Sequence, residues 1–152
     1  MLWRLHLGCW LLGIMASPVP GTPPATVAET SRLEVTIAPV RLRDSGNLIV
    51  ALYADEDSWL ELARAFRVRT WPADAETVRA SFEDIPRGEY ALQVIHDKNE
   101  NGKFDMRWFP YPKPKEGAGV SNDHVRKGKP RYDQALFKIE RETVVLPIRM
   151  HY

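Results

Sequence analysis

The sequence contains one cysteine, Cys9, and almost no excess of either charge. Of its 152 residues, 21 are Lys or Arg and 20 are Asp or Glu, which gives a net charge of +1. A nucleic-acid-binding domain usually carries a clear basic excess, so this balance argues against that class. A lone cysteine cannot form an internal disulfide. The length suits a single domain and does not fit an enzyme with separate cofactor and substrate domains.

Long apolar runs are also scarce. The only one, Leu5–Met15, follows Arg4 and precedes a stretch rich in Pro and Thr. A basic start followed by a short apolar core is typical of a secretory signal peptide, and the run is shorter than the roughly 20 residues that span a bilayer. We therefore expect a signal peptide at residues 1–16 and a Pro/Thr-rich linker at residues 17–31. Cleavage would remove Cys9 and leave no transmembrane segment.

The remainder, residues 32–152, is expected to form one all-β domain. Apolar and polar residues alternate, or apolar residues run together, in segments bounded by Gly, Pro, Asn and Asp, which is typical of strands. The predicted strands are 33–37, 48–53, 77–82, 90–96, 135–139 and 143–150. Such short strands predict an antiparallel β-sandwich of the immunoglobulin-like kind. Pro147 places the last strand at a sheet edge.

One short helix is predicted beside these strands. Ser58 and Glu61 have the spacing of a capping box, and the apolar residues that follow fall on one helical face. A long polar loop, residues 97–131, follows the central strands, and a loop of this length is usually functional or held by something specific.

The start of that loop has the spacing of a calcium-binding loop. Asp97, Asn99, Asn101 and Asp105 stand at its first, third, fifth and ninth positions, and glycine stands at the sixth. In such loops alternate oxygens converge on one Ca²⁺, and Lys103 would add its backbone carbonyl. The twelfth position lacks the bidentate Glu of an EF-hand, which excludes that motif. An equally simple alternative is a turn in which the Asp and Asn side chains bond backbone N–H groups, without metal.

Two other groups of residues suggest different functions. Trp108, Phe109 and Tyr111 form an aromatic run that can either hold sugar rings, as in a carbohydrate-binding module, or plug the end of the sandwich. His96, Asp97 and Glu116 would suit a hydrolase if the fold brought them together in a cleft. The basic residues near the aromatic run can face an anionic surface or simply be solvated.

Four motifs follow one another along the chain: Phe82-x-Asp84-Ile85-Pro86-x-Gly88-x-Tyr90-Ala91, His96-Asp97-x-Asn99-x-Asn101-Gly102-Lys103-x-Asp105, Pro114-x-Glu116-Gly117-x-Gly119-x-Ser121-Asn122 and the final strand. In this order they resemble a bacterial exported family, Domain of Unknown Function 2141, over residues 33–152. The resemblance implies a transthyretin-like or carboxypeptidase-regulatory-like β-sandwich, exported by a Gram-negative bacterium and without an assigned activity.

Together these observations predict a periplasmic or secreted β-sandwich protein that is a binding or structural module and not an enzyme. Its expected cofactor is at most Ca²⁺ at the Asp97–Asp105 loop. The expected partner is an unidentified envelope protein or a glycan, and not nucleic acid. The carbohydrate-binding module and the hydrolase remain the alternatives.

Overall fold

The computed structural model describes residues 29–123 and 128–152, so the predicted signal peptide and most of the predicted linker lie outside the described residues. Within the described ranges the chain forms ten strands and one α-helix. They are β1 (Thr30–Ala38), β2 (Asn47–Tyr53), β3 (Arg67–Pro72), β4 (Val78–Pro86), β5 (Gly88–Asp97), β6 (Met106–Arg107), β7 (Lys113–Pro114), β8 (Gly117–Val120), α1 (Tyr132–Ala135), β9 (Phe137–Ile139) and β10 (Thr143–Arg149).

The strands form two packed sheets and a separate hairpin. One sheet has the order β10-β1-β4, and the other has the order β3-β2-β5-β8, with β9 also paired to β5. The hairpin consists of β6 and β7 alone. The predicted all-β sandwich is confirmed, and Pro147 does lie on an edge strand. One pair differs from the antiparallel expectation, because β10 runs parallel to β1.

The main core lies between the two sheets. Burial alternates along β1, so that Leu33, Val35 and Ile37 point inward while their neighbours face outward. They meet Phe82 of β4 and the inward side chains of β2 and β5. Tyr90 packs at the end of this core, and its hydroxyl donates a hydrogen bond to the carbonyl of Pro86 at 2.9 Å. This hydrogen bond connects the two sides of the turn between β4 and β5.

A second, smaller core covers the other face of the five-stranded sheet. The ring of Trp59 packs edge-on against Tyr53 at 5.1 Å, and its Nε1 donates to the carbonyl of Pro130 at 2.9 Å. Val120 and Ala135 complete this cluster. Because both faces of β5 are covered, nearly every residue of β5 is buried.

The helix predicted from Ser58 onward is wrong. Leu60 has φ +67°, which a right-handed helix cannot contain, and only a 3₁₀ turn at Leu62–Arg64 follows it. The Ser58 hydroxyl donates to the carbonyl of Asp55 and does not cap a helix. The α-helix of the described residues is instead α1, a single turn.

The loop predicted at residues 97–131 is more structured than expected. It contains the hairpin strands β6 and β7 and also β8, which pairs with β5. β8 was missed because its sequence, Gly-Ala-Gly-Val, carries little hydrophobic contrast. β3 was missed because, as an edge strand, it exposes almost all its side chains. Of these strands, β8 pairs with the part of β5 that directly precedes the candidate loop.

Candidate functional site: the Asp97–Asp105 loop and the aromatic hairpin

The candidate loop begins where β5 ends, at Asp97, whose side chain is 2% exposed. Its Oδ2 accepts the N–H of Gly102 at 2.7 Å and its Oδ1 accepts the N–H of Asn101 at 3.2 Å. Gly102 has φ +71°, a left-handed conformation that glycine adopts without strain. The sixth-position glycine therefore serves the sharp bend that the loop spacing predicted.

The side chain of Asp105 returns to the same place from the far end of the loop. Its Oδ2 accepts hydrogen bonds from the side-chain amides of Asn99, at 2.9 Å, and Asn101, at 3.3 Å. The Oδ1 atoms of the two asparagines accept backbone N–H groups of Asn101 and Lys103. The side chain of Lys103 itself is exposed. The structure thus brings together the four side chains that the spacing selected.

Glu116 closes the base of the loop from a later segment. It is 4% exposed, and its two carboxylate oxygens accept the N–H groups of Lys98 at 3.2 Å and Asp105 at 3.0 Å. A backbone hydrogen bond of 3.0 Å from Lys115 to the carbonyl of Asp105 runs alongside. Glu116 therefore ties the two ends of the loop to the start of β8.

Negative charge is concentrated at this base. In the ranges 29–123 and 128–152, no Lys, Arg or His lies within ion-pair distance of the carboxylates of Asp97, Asp105 or Glu116. The nearby ammonium of Lys98 pairs with Asp44 instead, at 2.9 Å. Burying carboxylates is costly unless a positive charge or hydrogen bonds compensate, and here only N–H donors do so.

The oxygen atoms that could bind a cation at this site are of several kinds. Among the residues with described positions, no three His, Cys, Asp or Glu side chains gather into a metal-binding group. Any cation held here would therefore need the amide and carbonyl oxygens of the loop together with its carboxylates. This combination of oxygen ligands is the one that Ca²⁺ accepts.

The hairpin formed by β6 and β7 projects directly beyond this base. We call the segment Trp108–Tyr111 at its end the aromatic tip. The side chains of Trp108, Phe109 and Tyr111 are 73%, 85% and 62% exposed. In the described residues none of the three rings packs against another aromatic ring. The sequence left two roles open for these rings, a sugar-binding platform and a plug at the end of the sandwich. Their exposure contradicts the plug.

His96, the central residue of the hydrolase alternative, is fully buried with both ring nitrogens engaged. Its Nε2 lies 2.6 Å from the carbonyl oxygen of Ser45, which can only accept, so Nε2 carries the proton. Neutral Nδ1 then accepts from the hydroxyl of Tyr152 at 3.0 Å, and that hydroxyl accepts the N–H of Arg41 at 2.9 Å. Every polar atom of this chain of bonds has a partner.

His96 and Asp97 are neighbours on β5 and therefore face opposite sides of the sheet. The partners of Asp97 and Glu116 are backbone N–H groups, as described above. The three residues of the hydrolase alternative thus contact different surroundings, and each contributes to holding strands and loops together.

Near His96, the pKa values of Asp44 and Tyr152 are also shifted. The hydrogen bond and positive charge of Lys98 hold the pKa of Asp44 below its ordinary value, against the opposing effect of burial. Burial raises the pKa of Tyr152, and nearby Asp44 adds to this effect. Both groups therefore keep their present charge state over a wider range of pH than in an unfolded chain.

Sequence reasoning missed the contributions of Asp44 and Tyr152 to this region. Both reach it from distant parts of the chain, and no local pattern marks them. Farther along the chain, Oδ1 of Asp123 lies 2.7 Å from Nε2 of His151.

Comparison with known proteins gives one family. The family model described as "Uncharacterized protein conserved in bacteria (DUF2141)" matches residues 35–146. Neither the curated proteins nor the solved structures yielded a match. In the part of the chain with described positions, no helix is long and apolar enough to cross a membrane.

Proposed function

The chain belongs to the DUF2141 family of uncharacterized bacterial proteins, and on that premise we propose that it is an exported, non-enzymatic binding module in which Ca²⁺ fixes the base of the aromatic hairpin. Export through residues 1–16 to the periplasm or the exterior is part of this proposal. The Asp97–Asp105 loop would hold the ion, and the aromatic tip would contact the ligand.

The observation that carries the proposal is that Asp97, Asp105 and Glu116 each accept N–H groups at the base of the hairpin and that none of them has an ionic partner in the described ranges. A divalent cation would offset this charge and would be bound by the oxygens whose spacing suggested the site. With only two carboxylates in the loop register, binding is expected to be weak, in the range of about 10⁻⁴ to 10⁻³ M that extracellular calcium modules show.

In this proposal the ion organises the loop and performs no chemistry. Asp105 and Glu116 link the loop to β6 and β8, so fixing the loop also fixes the direction in which the hairpin projects. A carbohydrate-binding module is the second candidate, because the exposed rings of the aromatic tip leave their faces free to stack on sugars.

The experiment that tests the calcium site is thermal unfolding with Ca²⁺ and with chelator. Binding only to the folded state adds about 1.4 kcal/mol at a tenfold excess over Kd, which raises Tm by about 3–5 °C for a domain of this size. We expect this increment in the wild type and its loss in Asp105→Asn, which keeps the shape of the side chain but removes its charge.

Asp74→Asn is the matched control, since Asp74 is exposed and lies outside the loop; it should keep the full increment. Asp105→Asn lowers Tm in chelator only through its two amide hydrogen bonds. A wild type that melts at the same temperature in Ca²⁺ and in chelator would contradict the calcium site and leave a metal-free Asx turn.

A further inference from the structure

The aromatic tip is the largest local concentration of exposed apolar surface among the residues described. Outside it, the large exposed apolar side chains are Leu42, Val68 and Val145, which lie apart from one another on other elements. Clustered exposed apolar side chains mark an interaction site, whereas scattered ones are ordinary. The tip is therefore the part of this surface that most needs a partner.

Exposed cations surround the tip. Arg107 precedes it on β6, and Lys113 and Lys115 follow it on and beside β7. Within the described ranges none of the three forms an ion pair. The nearest acidic residue in sequence, Asp105, is turned into the base of the loop by the two asparagine amides. Arg107 and Lys113, which pair with each other next to the tip, make the far end of the hairpin positive, whereas Lys115 lies at its base opposite Asp105.

Exposed aromatic side chains flanked by unpaired cations match the chemistry of an anionic lipid surface. Trp and Tyr favour the boundary between headgroups and acyl chains, and each nearby Lys or Arg adds attraction to anionic headgroups. A neutral glycan would use the rings but not the cations. The combination therefore favours lipid over sugar.

We propose that the aromatic tip docks on the surface of an anionic lipid bilayer, with Trp108, Phe109 and Tyr111 entering the headgroup region and Arg107 and Lys113 contacting lipid phosphates. This inference rests on the proposed function, which makes the hairpin the contact surface. Docking is reversible and salt-sensitive, because a single short tip buries little apolar area and the cations are screened by salt.

The test follows Trp108 in the full chain with vesicles of phosphatidylcholine and phosphatidylglycerol that carry brominated acyl chains, which quench tryptophan on contact. The difference in emission between the wild type and Trp108→Phe isolates Trp108, since the other tryptophans and the N-terminal segment are common to both. We expect the Trp108 emission to be quenched, and the quenching to fade at high salt and on pure phosphatidylcholine.

Charge variants sharpen the test. Arg107→Gln and Lys113→Gln should each weaken vesicle binding by about fivefold. Arg141→Gln, which removes an exposed arginine elsewhere, should leave it unchanged. Equal effects of all three variants would overturn the assignment of the cations.

An unquenched Trp108 overturns lipid docking. If Trp108 emission then shifts on addition of soluble N-acetylglucosamine oligosaccharides, the tip is a sugar platform, and the proposed binding module stands without the lipid. If Trp108 responds to neither probe, the hairpin is not the contact surface, and that part of the proposed function fails as well.

Discussion

At the scale of single residues, the buried polar side chains account for the geometry around the candidate site. His96 is held in one tautomer by the carbonyl of Ser45 and the hydroxyl of Tyr152. Lys98 serves two partners, because its ammonium pairs with Asp44 while its backbone N–H is bound by Glu116. Lys98 therefore joins the loop to the turn before β2.

The Asp44–Lys98 pair makes a testable contribution to acid stability. Lys98 lowers the pKa of Asp44 in the folded state from its ordinary value of 3.8. A lowered pKa means that the stabilisation is complete above the unfolded-state pKa and is lost as pH falls through the folded-state pKa. We expect Asp44→Asn to cost about 0.5–1 kcal/mol at neutral pH.

Urea unfolding of the wild type and Asp44→Asn across acidic pH measures this contribution. The gap between the two proteins should narrow as the pH falls below 3.8, because the wild-type carboxyl then also becomes neutral. A gap that stays constant with pH would show that the charge of Asp44 does not stabilise the fold.

At the scale of elements, glycines let β8 approach its neighbours closely. A Cβ on Gly117 would overlap the ring of Tyr152, and one on Gly119 would overlap the backbone of β10. Glu116 directly precedes β8, so the close packing of β8 also sets the position of the carboxylate that closes the loop. The same glycines made this strand hard to predict from the sequence. They are required in the fold because a side chain at either position would overlap a neighbouring residue.

A double-mutant cycle tests the contact between Gly117 and Tyr152. Gly117→Ala should cost about 1–3 kcal/mol of unfolding free energy through overpacking. In a Tyr152→Ala background most of that cost should vanish, because the ring is absent. Urea unfolding of the four proteins gives the coupling energy.

Gly102→Ala provides the control for this cycle. A Cβ there meets no atom within 4 Å, so its cost of about 1 kcal/mol comes from the positive φ alone and should be the same with or without Tyr152. Equal costs of Gly117→Ala in the two backgrounds would contradict the contact.

The sequence predicted the strands marked by alternation or by an apolar run and missed β3 and β8, which carry neither signal. β1, β2, β4, β5 and β10 were predicted because their alternation or apolar runs reflect burial. The prediction of a helix from Ser58 onward is wrong because the apolar residues there form a turn that buries Trp59 in the second core. The family resemblance was confirmed over residues 35–146.

Within the candidate site, local spacing selected Asp97, Asn99, Asn101 and Asp105, and the structure brings these side chains together. The spacing could not place Asp44 and Tyr152, since such contacts depend on how distant strands pair. Whether a metal occupies the loop stays a prediction.

At the scale of the whole molecule, the two-sheet sandwich carries one hairpin, β6 and β7, that pairs with neither sheet. The two cores cover both faces of β5, the strand from which the candidate loop emerges. In the sequence the loop is followed by the hairpin and then by Glu116, whose carboxylate binds back to both ends of the loop. This arrangement places the most exposed rings of the described residues beyond the most charged part of the candidate site.

The central claim is that Ca²⁺ binds at the base of that hairpin, and calorimetric titration of Ca²⁺ into the purified protein tests it most directly. We predict one saturable site per chain with a Kd of about 10⁻⁴ to 10⁻³ M, absent in Asp105→Asn and retained in Asp74→Asn. A titration without saturable heat, or one that Asp105→Asn leaves unchanged, would contradict the claim.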